Sequence, residues 1–102
     1  MMSDDIYEAF AIRYARVDRN AAENFLGGDP HDAPMPLNYY VWVLRNAIRT
    51  VVVDTGFDER GARLRKRTIL NSVAEGLEAL GVDRSAVCDA IVTHMHYDHA
   101  GN

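Results

Sequence analysis

The last nine residues of the chain hold side chains that are suited to binding metal ions. Three histidines and one aspartate fall within six positions, as His94, His96, Asp98 and His99. They follow a short apolar run. We therefore expect His94 and His96, two residues apart at a strand end, to point the same way and meet at one metal ion. The chain must then turn, which lets Asp98 and His99 face a second ion.

The alternative explanation for this cluster is ordinary packing. It is disfavoured because burying so many ionisable groups without a metal or a charged partner is costly. Zinc is the natural occupant, since it binds imidazole nitrogen and carboxylate oxygen at low coordination number. Iron, manganese or cobalt would suit the same ligands, and the general order of affinities does not separate them. We predict two divalent metal ions, with zinc preferred.

The elements that must position this cluster predict an α/β layered half-domain. Alternating apolar residues over 6–17 predict a first strand with both faces partly covered. Residues 37–44 and 48–53 predict an antiparallel hairpin with a tight turn at 45–47. Its second strand is apolar on both faces, which is typical of a strand inside a covered sheet. A short buried strand at 90–93 is predicted to deliver His94.

A helix is predicted between the hairpin and the last strand. Apolar residues recur at spacings of four, four and three, at Ile69, Val73, Leu77 and Leu80. This spacing is typical of a helix that packs one face against a core, and Gly81 suits its C-terminus. The preceding basic run at 60–67 lies beside Asp58 and Glu59 and has no interleaved aromatic residues. It is interpreted as a solvated helix start rather than as a nucleic-acid surface.

The loop that precedes the hairpin is rich in glycine and proline. Gly27-Gly28-Asp29-Pro30 and Pro34-Met35-Pro36 predict irregular structure over residues 18–36, with a turn or two of helix at 20–26. A long loop of this kind is often functional, so it is a candidate for lining a substrate entrance. Its histidine, His31, is interpreted as a solvated loop residue.

The motif at the C-terminal end resembles that of a known family. His94-Met95-His96-Tyr97-Asp98-His99 matches the H-x-H-x-D-H motif of the metallo-β-lactamase superfamily. The run Val53-Asp54-Thr55-Gly56 looks like the strand-end aspartate motif of that superfamily. Within it, the chain is most similar to N-acyl homoserine lactonases. The resemblance implies the N-terminal half of an αββα sandwich. It also implies a quorum-quenching hydrolase that opens a lactone ring with a metal-activated water.

The resemblance also implies a role for each motif residue. His94 and His96 would bind the first metal, and Asp98 and His99 the second. Asp98 is also the candidate catalytic residue, passing a proton to the leaving alkoxide. Asp54 would orient the motif loop through hydrogen bonds, as outer partners of metal ligands do. A plain strand-end aspartate remains the alternative for Asp54. Tyr97 and Met95 are expected to pack or to border the pocket.

The chain departs from the family pattern at its C-terminal end. Full-length relatives supply further metal ligands and a second sheet beyond the motif, whereas this sequence ends at Asn102. Residues 1–102 are therefore expected to be a partial domain, truncated just after the motif. His31 matches no family ligand position and cannot replace the missing ligands. We expect the 102-residue chain alone to bind zinc poorly and to hydrolyse little. We also expect its copies to associate with one another as a homo-oligomer.

Composition restricts the partners and the compartment. A hydrophobic fraction of 48% and a charged fraction of 25% are typical of a soluble globular protein. The net charge of −4 argues against nucleic acid and against anionic membranes as partners. The acidic start has no secretory pattern, and the single cysteine, Cys88, cannot form an internal disulfide. Cys88 is expected to pack beside the last strand. These features predict a reduced, cytoplasmic setting.

Two classes of alternative function stay open. One is another hydrolase of the same fold: a β-lactamase, a glyoxalase-type thioesterase or a phosphodiesterase. A β-lactamase is disfavoured because no export signal is visible. The other is a non-catalytic metal-binding or interaction module whose exposed sheet pairs with another chain. The expected partner of the enzyme is a small-molecule ester or lactone substrate.

Overall fold

A five-stranded mixed sheet forms the centre of the molecule. The computed structural model describes residues 6–87 and 89–102. Its strands are β1 Glu8–Val17, β2 Leu37–Arg45, β3 Thr50–Val53, β4 Thr68–Ile69 and β5 Asp89–Ile91. Their order across the sheet is β4-β1-β2-β3-β5. β3 and β5 run parallel, and every other neighbouring pair is antiparallel.

Within residues 6–87 and 89–102, four short helices accompany the sheet, which confirms the predicted α/β class. They are α1 Ala21–Asn24, α2 Glu59–Arg65, α3 Val73–Ala79 and α4 Tyr97–Ala100, and a 3-10 turn spans Arg84–Ala86. Among the described residues, none of the helices has the length and apolar character needed to cross a membrane. Cys88 lies outside the described residues.

The hydrophobic core lies between the sheet and α3. On β1 and β2 the buried side chains include Ile12, Tyr14, Val41 and Val43, and α3 contributes Val73 and Leu77. Ile12 lies opposite Val41 in the ladder, so both side chains share one face of the sheet. This face therefore packs against helix, as the alternation in β1 predicts.

The other face of the sheet is open, which corrects one prediction. Ala11 and Arg13 of β1 are exposed, although the sequence pattern predicts cover on both faces. Their direct partners on β2, Trp42 and Tyr40, are 45% and 42% exposed. The prediction was wrong because it inferred cover from apolar content. Among the described residues, nothing packs over these side chains as α3 does on the other face.

The hairpin forms as predicted, but its second strand starts later. The side-chain oxygen of Asn46, Oδ1, accepts hydrogen bonds from the amides of Ile48 and Arg49, at 2.9 and 2.8 Å. This turn holds Ile48, which is 70% exposed, outside the ladder. β3 therefore begins at Thr50. It lies between β2 and β5, which confirms its predicted place inside the sheet.

The predicted single helix is two helices separated by a strand. α2 ends at Arg65, and Lys66 has a left-handed backbone with φ 57°. Ile69 then pairs with Ala15 in the edge of the sheet, so it is a strand residue and the helical prediction for it was wrong. A spacing of four also suits a strand residue followed by a new helix, and sequence spacing alone does not separate the two cases. A new helix, α3, starts at a capping box formed by Ser72 and Glu75.

α3 ends just before Gly81, as the sequence predicts. Gly81 has φ +74° and donates to the carbonyl oxygen of Glu78 at 2.9 Å. Val82 donates to Leu77 at 2.9 Å, which completes the hydrogen-bonding pattern of a glycine-terminated helix.

The last strand is shorter and more exposed than predicted. β5 covers Asp89–Ile91 rather than 90–93, and Ile91 is 52% exposed. β5 pairs with β3 on one side and forms the edge of the described sheet on the other. This edge position explains why an apolar strand is not buried.

Gly76 marks the closest approach of α3 to the sheet. A Cβ added there would overlap Cγ2 of Ile12, which is buried on β1. An ordinary Gly→Ala change inside a helix is favourable by about 1 kcal/mol, whereas overpacking a core costs about 1–3 kcal/mol. We expect Gly76→Ala to lower the free energy of unfolding by about 1–2 kcal/mol in urea denaturation followed by circular dichroism. Glu78→Ala, on the exposed side of the same helix, is the control and should change it by no more than about 0.5 kcal/mol. A stabilising Gly76→Ala would contradict this packing.

Candidate metal centre

The parallel pairing of β3 and β5 brings Asp54 and the histidine cluster together. Both strands end at the same edge of the sheet, and the amide of Asp54 donates to the carbonyl oxygen of Ile91 at 2.7 Å. Asp54 follows β3 directly, and the segment Thr93–His99 follows β5. Groups far apart in the sequence are thereby placed next to each other at the carboxyl ends of two strands.

Asp54 is the one polar residue buried among the described residues, at 5% exposure. Its Oδ1 accepts hydrogen bonds from the amide and the hydroxyl of Thr93, at 2.8 and 2.9 Å. Its Oδ2 is 2.7 Å from Nδ1 of His99. Burial alone would raise the pKa of Asp54, but the hydrogen bonds from His99 and Thr93 outweigh burial and hold this pKa below its usual value. Asp54 is therefore ionised at neutral pH.

The backbone at Asp54 is itself unusual. Its φ is 63°, in the left-handed region that residues other than glycine rarely occupy. Aspartate and asparagine tolerate this region better than most residues. The conformation turns the chain sharply at the end of β3, and the side-chain hydrogen bonds hold it there.

Three of the candidate ligand residues bring their ligand atoms close together. One ligand atom each from His94, His96 and Asp98 lies within 4.8 Å of the other two. The rings of His94 and His96 are 4.7 Å apart and nearly perpendicular. Both histidines are exposed, and Asp98 is partly buried. The three donors can therefore reach one ion from solvent.

His99 lies beside this group. Its Nε2 is 3.3 Å from Oδ2 of Asp98, and its ring centroid is 3.8 Å from that of His94. The structure thus brings together all four predicted ligands. It places Asp98 next to His94 and His96 as well as next to His99. The division of the ligands between two ions stays a prediction.

The backbone that carries the first two histidines differs from the predicted strand end. β5 ends at Ile91, so His94 and His96 lie in the loop between β5 and α4. His96 has extended dihedral angles, φ −63° and ψ 152°, and it precedes the first turn of α4. The rings of these two histidines therefore meet in a loop rather than at the end of a strand.

The turn after Asp54 holds α4 in place through main-chain contacts. The amide of Thr55 donates to the carbonyl oxygen of His99, and Gly101 donates to that of Gly56, both at 2.8 Å. The side-chain amide of Asn102 donates to the carbonyl oxygen of Thr55 at 2.8 Å. A Cβ at Gly101 would lie 2.8 Å from the carbonyl oxygen of Gly56, so only glycine permits this approach. The sequence reasoning missed this anchor, although the glycine after the motif was its available signal.

An aromatic cluster supports α4 from the core side. The ring of Tyr97 packs on Phe57, with 5.4 Å between centroids. The Tyr97 hydroxyl lies 3.3 Å from that of Tyr39 and accepts a hydrogen bond from Nε of Arg67 at 3.2 Å. Burial and the hydrogen bond with Tyr97 raise the pKa of Tyr39 to about 12. Tyr97 therefore packs, as the sequence predicts.

Tyr14 also supports the motif from the core, whereas Met95 and His31 are exposed. The hydroxyl of Tyr14, a fully buried residue, donates to the main-chain carbonyl of Asp98 at 3.1 Å. Burial raises the pKa of Tyr14, so this hydroxyl stays protonated and remains a donor. Met95, by contrast, is 82% exposed, and His31 lies exposed in the loop before the hairpin.

The residues present fit a divalent metal. Imidazole and carboxylate donors form the set that zinc binds in catalytic sites. The hydrogen bond from His99 to Asp54 also follows the pattern in which a metal-binding histidine donates its other ring nitrogen to a carboxylate. It directs a proton of His99 to Nδ1, while Nε2 faces Oδ2 of Asp98 at 3.3 Å, on the side of the other candidate ligands.

Comparison with protein families identifies the chain. A model of the metallo-beta-lactamase superfamily matches residues 34–102, which is more than half of the sequence and includes the whole cluster. The chain belongs to the metallo-beta-lactamase superfamily. A comparison with curated proteins gives no significant match.

Solved structures agree with this assignment at the level of the fold. The superfamily chain is similar to the crystal structure of a quorum-quenching N-acyl homoserine lactone lactonase, with 20% identity and a TM-score of 0.68. The match covers 91% of this chain and 39% of the lactonase chain. These findings confirm the predicted superfamily, the structural likeness to a lactonase and the α/β fold. The chain spans well under half the length of that lactonase.

Proposed function

We propose that this metallo-beta-lactamase superfamily protein takes part in the metal-dependent hydrolysis of small cyclic esters, with N-acyl homoserine lactones as the substrate class. The observation that carries the proposal is the convergence of His94, His96 and Asp98, whose ligand atoms lie within 4.8 Å of one another. Membership of the superfamily supports hydrolysis. The lactonase fold and the sequence resemblance support the choice of a lactone.

A divalent metal bound here would supply Lewis acidity, which lowers the pKa of water and polarises a carbonyl group. The chain's own residues do the rest. His94 and His96 present ring nitrogens to solvent, and Asp54 holds the ring of His99 in a fixed orientation. Water and a small substrate can reach the site, because both His94 and His96 are exposed.

Asp98 is the residue we assign to proton transfer. Its side chain is 24% exposed, so it can meet a substrate while remaining fixed by α4. Opening a lactone ring breaks the bond between the acyl carbon and the ring oxygen, and the leaving alkoxide must gain a proton. The Asp98 carboxyl group would receive a proton from the attacking water and deliver it to this alkoxide.

Asp98→Asn tests this role. General acid–base catalysis contributes typically about 10²–10⁴-fold, so we expect turnover of an N-acyl homoserine lactone to fall by about 100-fold or more at saturating zinc. The assay should use the intact gene product, including any residues that the reading frame adds beyond Asn102. Asp89→Asn, on exposed β5, is the matched control and should turn over normally. An Asp98→Asn protein that keeps its metal and its full turnover would refute the assignment.

Two comparisons separate the proposal from its alternatives. Parallel assays with a homoserine lactone, a thioester and a phosphodiester distinguish hydrolases of this fold, and we expect the lactone to be turned over fastest.

The open sheet face that carries Tyr40 and Trp42 favours a second candidate, a non-catalytic module that pairs with another chain. A metal-free oligomer in size-exclusion chromatography with metal analysis, together with no hydrolysis of any of the three substrates, would support that candidate instead.

A further inference from the structure

The hydroxyl of Thr93 lies between the buried carboxylate and two of the candidate ligands. Its Oγ1 is 2.9 and 3.0 Å from the two oxygens of Asp54. The same atom is 3.1 Å from Nδ1 of His94 and 3.4 Å from Nδ1 of His99. Besides donating to Asp54, this hydroxyl lies close to His94 and His99, so it contacts three of the groups that build the site.

The direction of these hydrogen bonds follows from counting protons. A threonine hydroxyl has one proton to donate and two lone pairs that accept. The ionised carboxylate of Asp54 can only accept, and hydrogen bonds to a charged group are about twice as strong as those between neutral groups. The hydroxyl proton of Thr93 therefore goes to Asp54. Towards His94, Oγ1 is left as an acceptor, so the imidazole must be the donor.

We propose that Thr93 is a positioning residue. Its hydroxyl donates to the Asp54 carboxylate and accepts from the His94 ring, which fixes the His94 proton on Nδ1. The lone pair of Nε2 then faces away from Thr93 and is free to bind a metal. His99 also has its Nδ1 proton fixed by Asp54, in this case directly, because its Nδ1 is 2.7 Å from the Asp54 carboxylate. One buried carboxylate thus sets the tautomer of two imidazoles, one of them through a hydroxyl. The importance of this arrangement for metal binding rests on the proposed function.

The competing arrangement has a different proton distribution. If Thr93 donated its proton to Nδ1 of His94, that histidine would carry its own proton on Nε2. The exposed nitrogen would then have to lose a proton before it could bind a metal. Asp54 would also lose one of the hydrogen bonds that hold its pKa below its usual value.

The test reads the His94 tautomer in the metal-free protein. Long-range ¹H–¹⁵N spectra separate a protonated from an unprotonated ring nitrogen. The chain has four histidines, so the spectrum is simple, and His94→Ala identifies the signals of His94. The spectra are recorded at mildly alkaline pH. We expect the His94 proton on Nδ1, and a proton on Nε2 would overturn the proposal.

Two substitutions of Thr93 distinguish the effect of its hydroxyl from the effect of its side-chain shape. Thr93→Val removes the hydroxyl and keeps the branched shape and the main-chain hydrogen bond to Asp54. We expect His94 to show both tautomers and zinc affinity to fall by about 10–100-fold, as for other outer partners of ligands. Thr93→Ser retains the hydroxyl and should restore both properties. Thr50→Val, the same chemical change on β3, is the control and should alter neither.

The outcomes distinguish this inference from the proposed function. A single Nδ1-protonated tautomer that persists in Thr93→Val would overturn the inference even if the protein hydrolyses lactones. A tautomer that depends on the hydroxyl would support the inference even if no lactone is hydrolysed. In that case only the proposed function would fail.

Discussion

Asp54→Asn should lower zinc affinity by about 10–100-fold and the free energy of unfolding by about 1–3 kcal/mol. Asparagine keeps the size of the side chain and tolerates the left-handed backbone at this position, so the change isolates the carboxylate. Its amide has one acceptor oxygen. If that oxygen stays with Thr93, the amide nitrogen faces Nδ1 of His99, which must then accept. The proton of His99 moves to Nε2, the nitrogen that faces Oδ2 of Asp98.

Asp89→Asn is the control for this experiment. Asp89 is an exposed aspartate on β5, and its only described ion pair is with Arg49 at 3.9 Å. Such a pair contributes little, so we expect a change within about 0.5 kcal/mol and unaltered zinc affinity. Urea denaturation and competition with a chromophoric zinc chelator measure the two properties. If Asp54→Asn behaved like Asp89→Asn, the buried carboxylate would have no role in holding the site.

His94→Ala and His96→Ala should each reduce zinc affinity by at least about 100-fold, more than the loss of an outer partner causes. Each change removes a donor atom from a group of three, and the remaining donors cannot complete a zinc site. Both side chains are exposed, so the metal-free protein should keep its stability to within about 0.5 kcal/mol. This combination of lost binding and intact folding is specific to a ligand.

His31→Ala is the matched control, because His31 is an exposed histidine in the loop before the hairpin. We expect it to bind zinc as the unchanged protein does. A similar loss of affinity in His31→Ala would mean that zinc binds histidines at the surface generally. A loss of less than about threefold in both motif variants would contradict the assigned ligands.

The candidate site was largely visible in the sequence because its chemistry depends on residue types at short spacings. Three histidines and an aspartate within six positions predict a common site, whatever the exact course of the local backbone. The hairpin and the end of α3 at Gly81 were predictable for a similar reason, since local hydrogen bonds decide them.

The features that the sequence did not reveal depend on contacts between distant residues. Ile69 belongs to β4 because it pairs with Ala15, which lies far away along the chain. The role of Thr93 depends on Asp54, 39 residues earlier, at the end of a strand that pairs in parallel with β5. The first strand was expected to have both faces at least partly covered, but apolar content does not report what covers a strand, and the face that carries Ala11 is exposed. Strand pairing and strand exposure are fixed by tertiary contacts rather than by the strand propensity of individual residues.

The most direct test of a metal centre in this protein is to locate zinc crystallographically. A crystal of the zinc-loaded intact gene product, measured on both sides of the zinc absorption edge, gives an anomalous signal at the metal alone. We predict a peak about 2.0–2.1 Å from Nε2 of His94 and from a ring nitrogen of His96, beside the Asp98 carboxylate. Zinc bound elsewhere, with these side chains free of metal, would contradict the account.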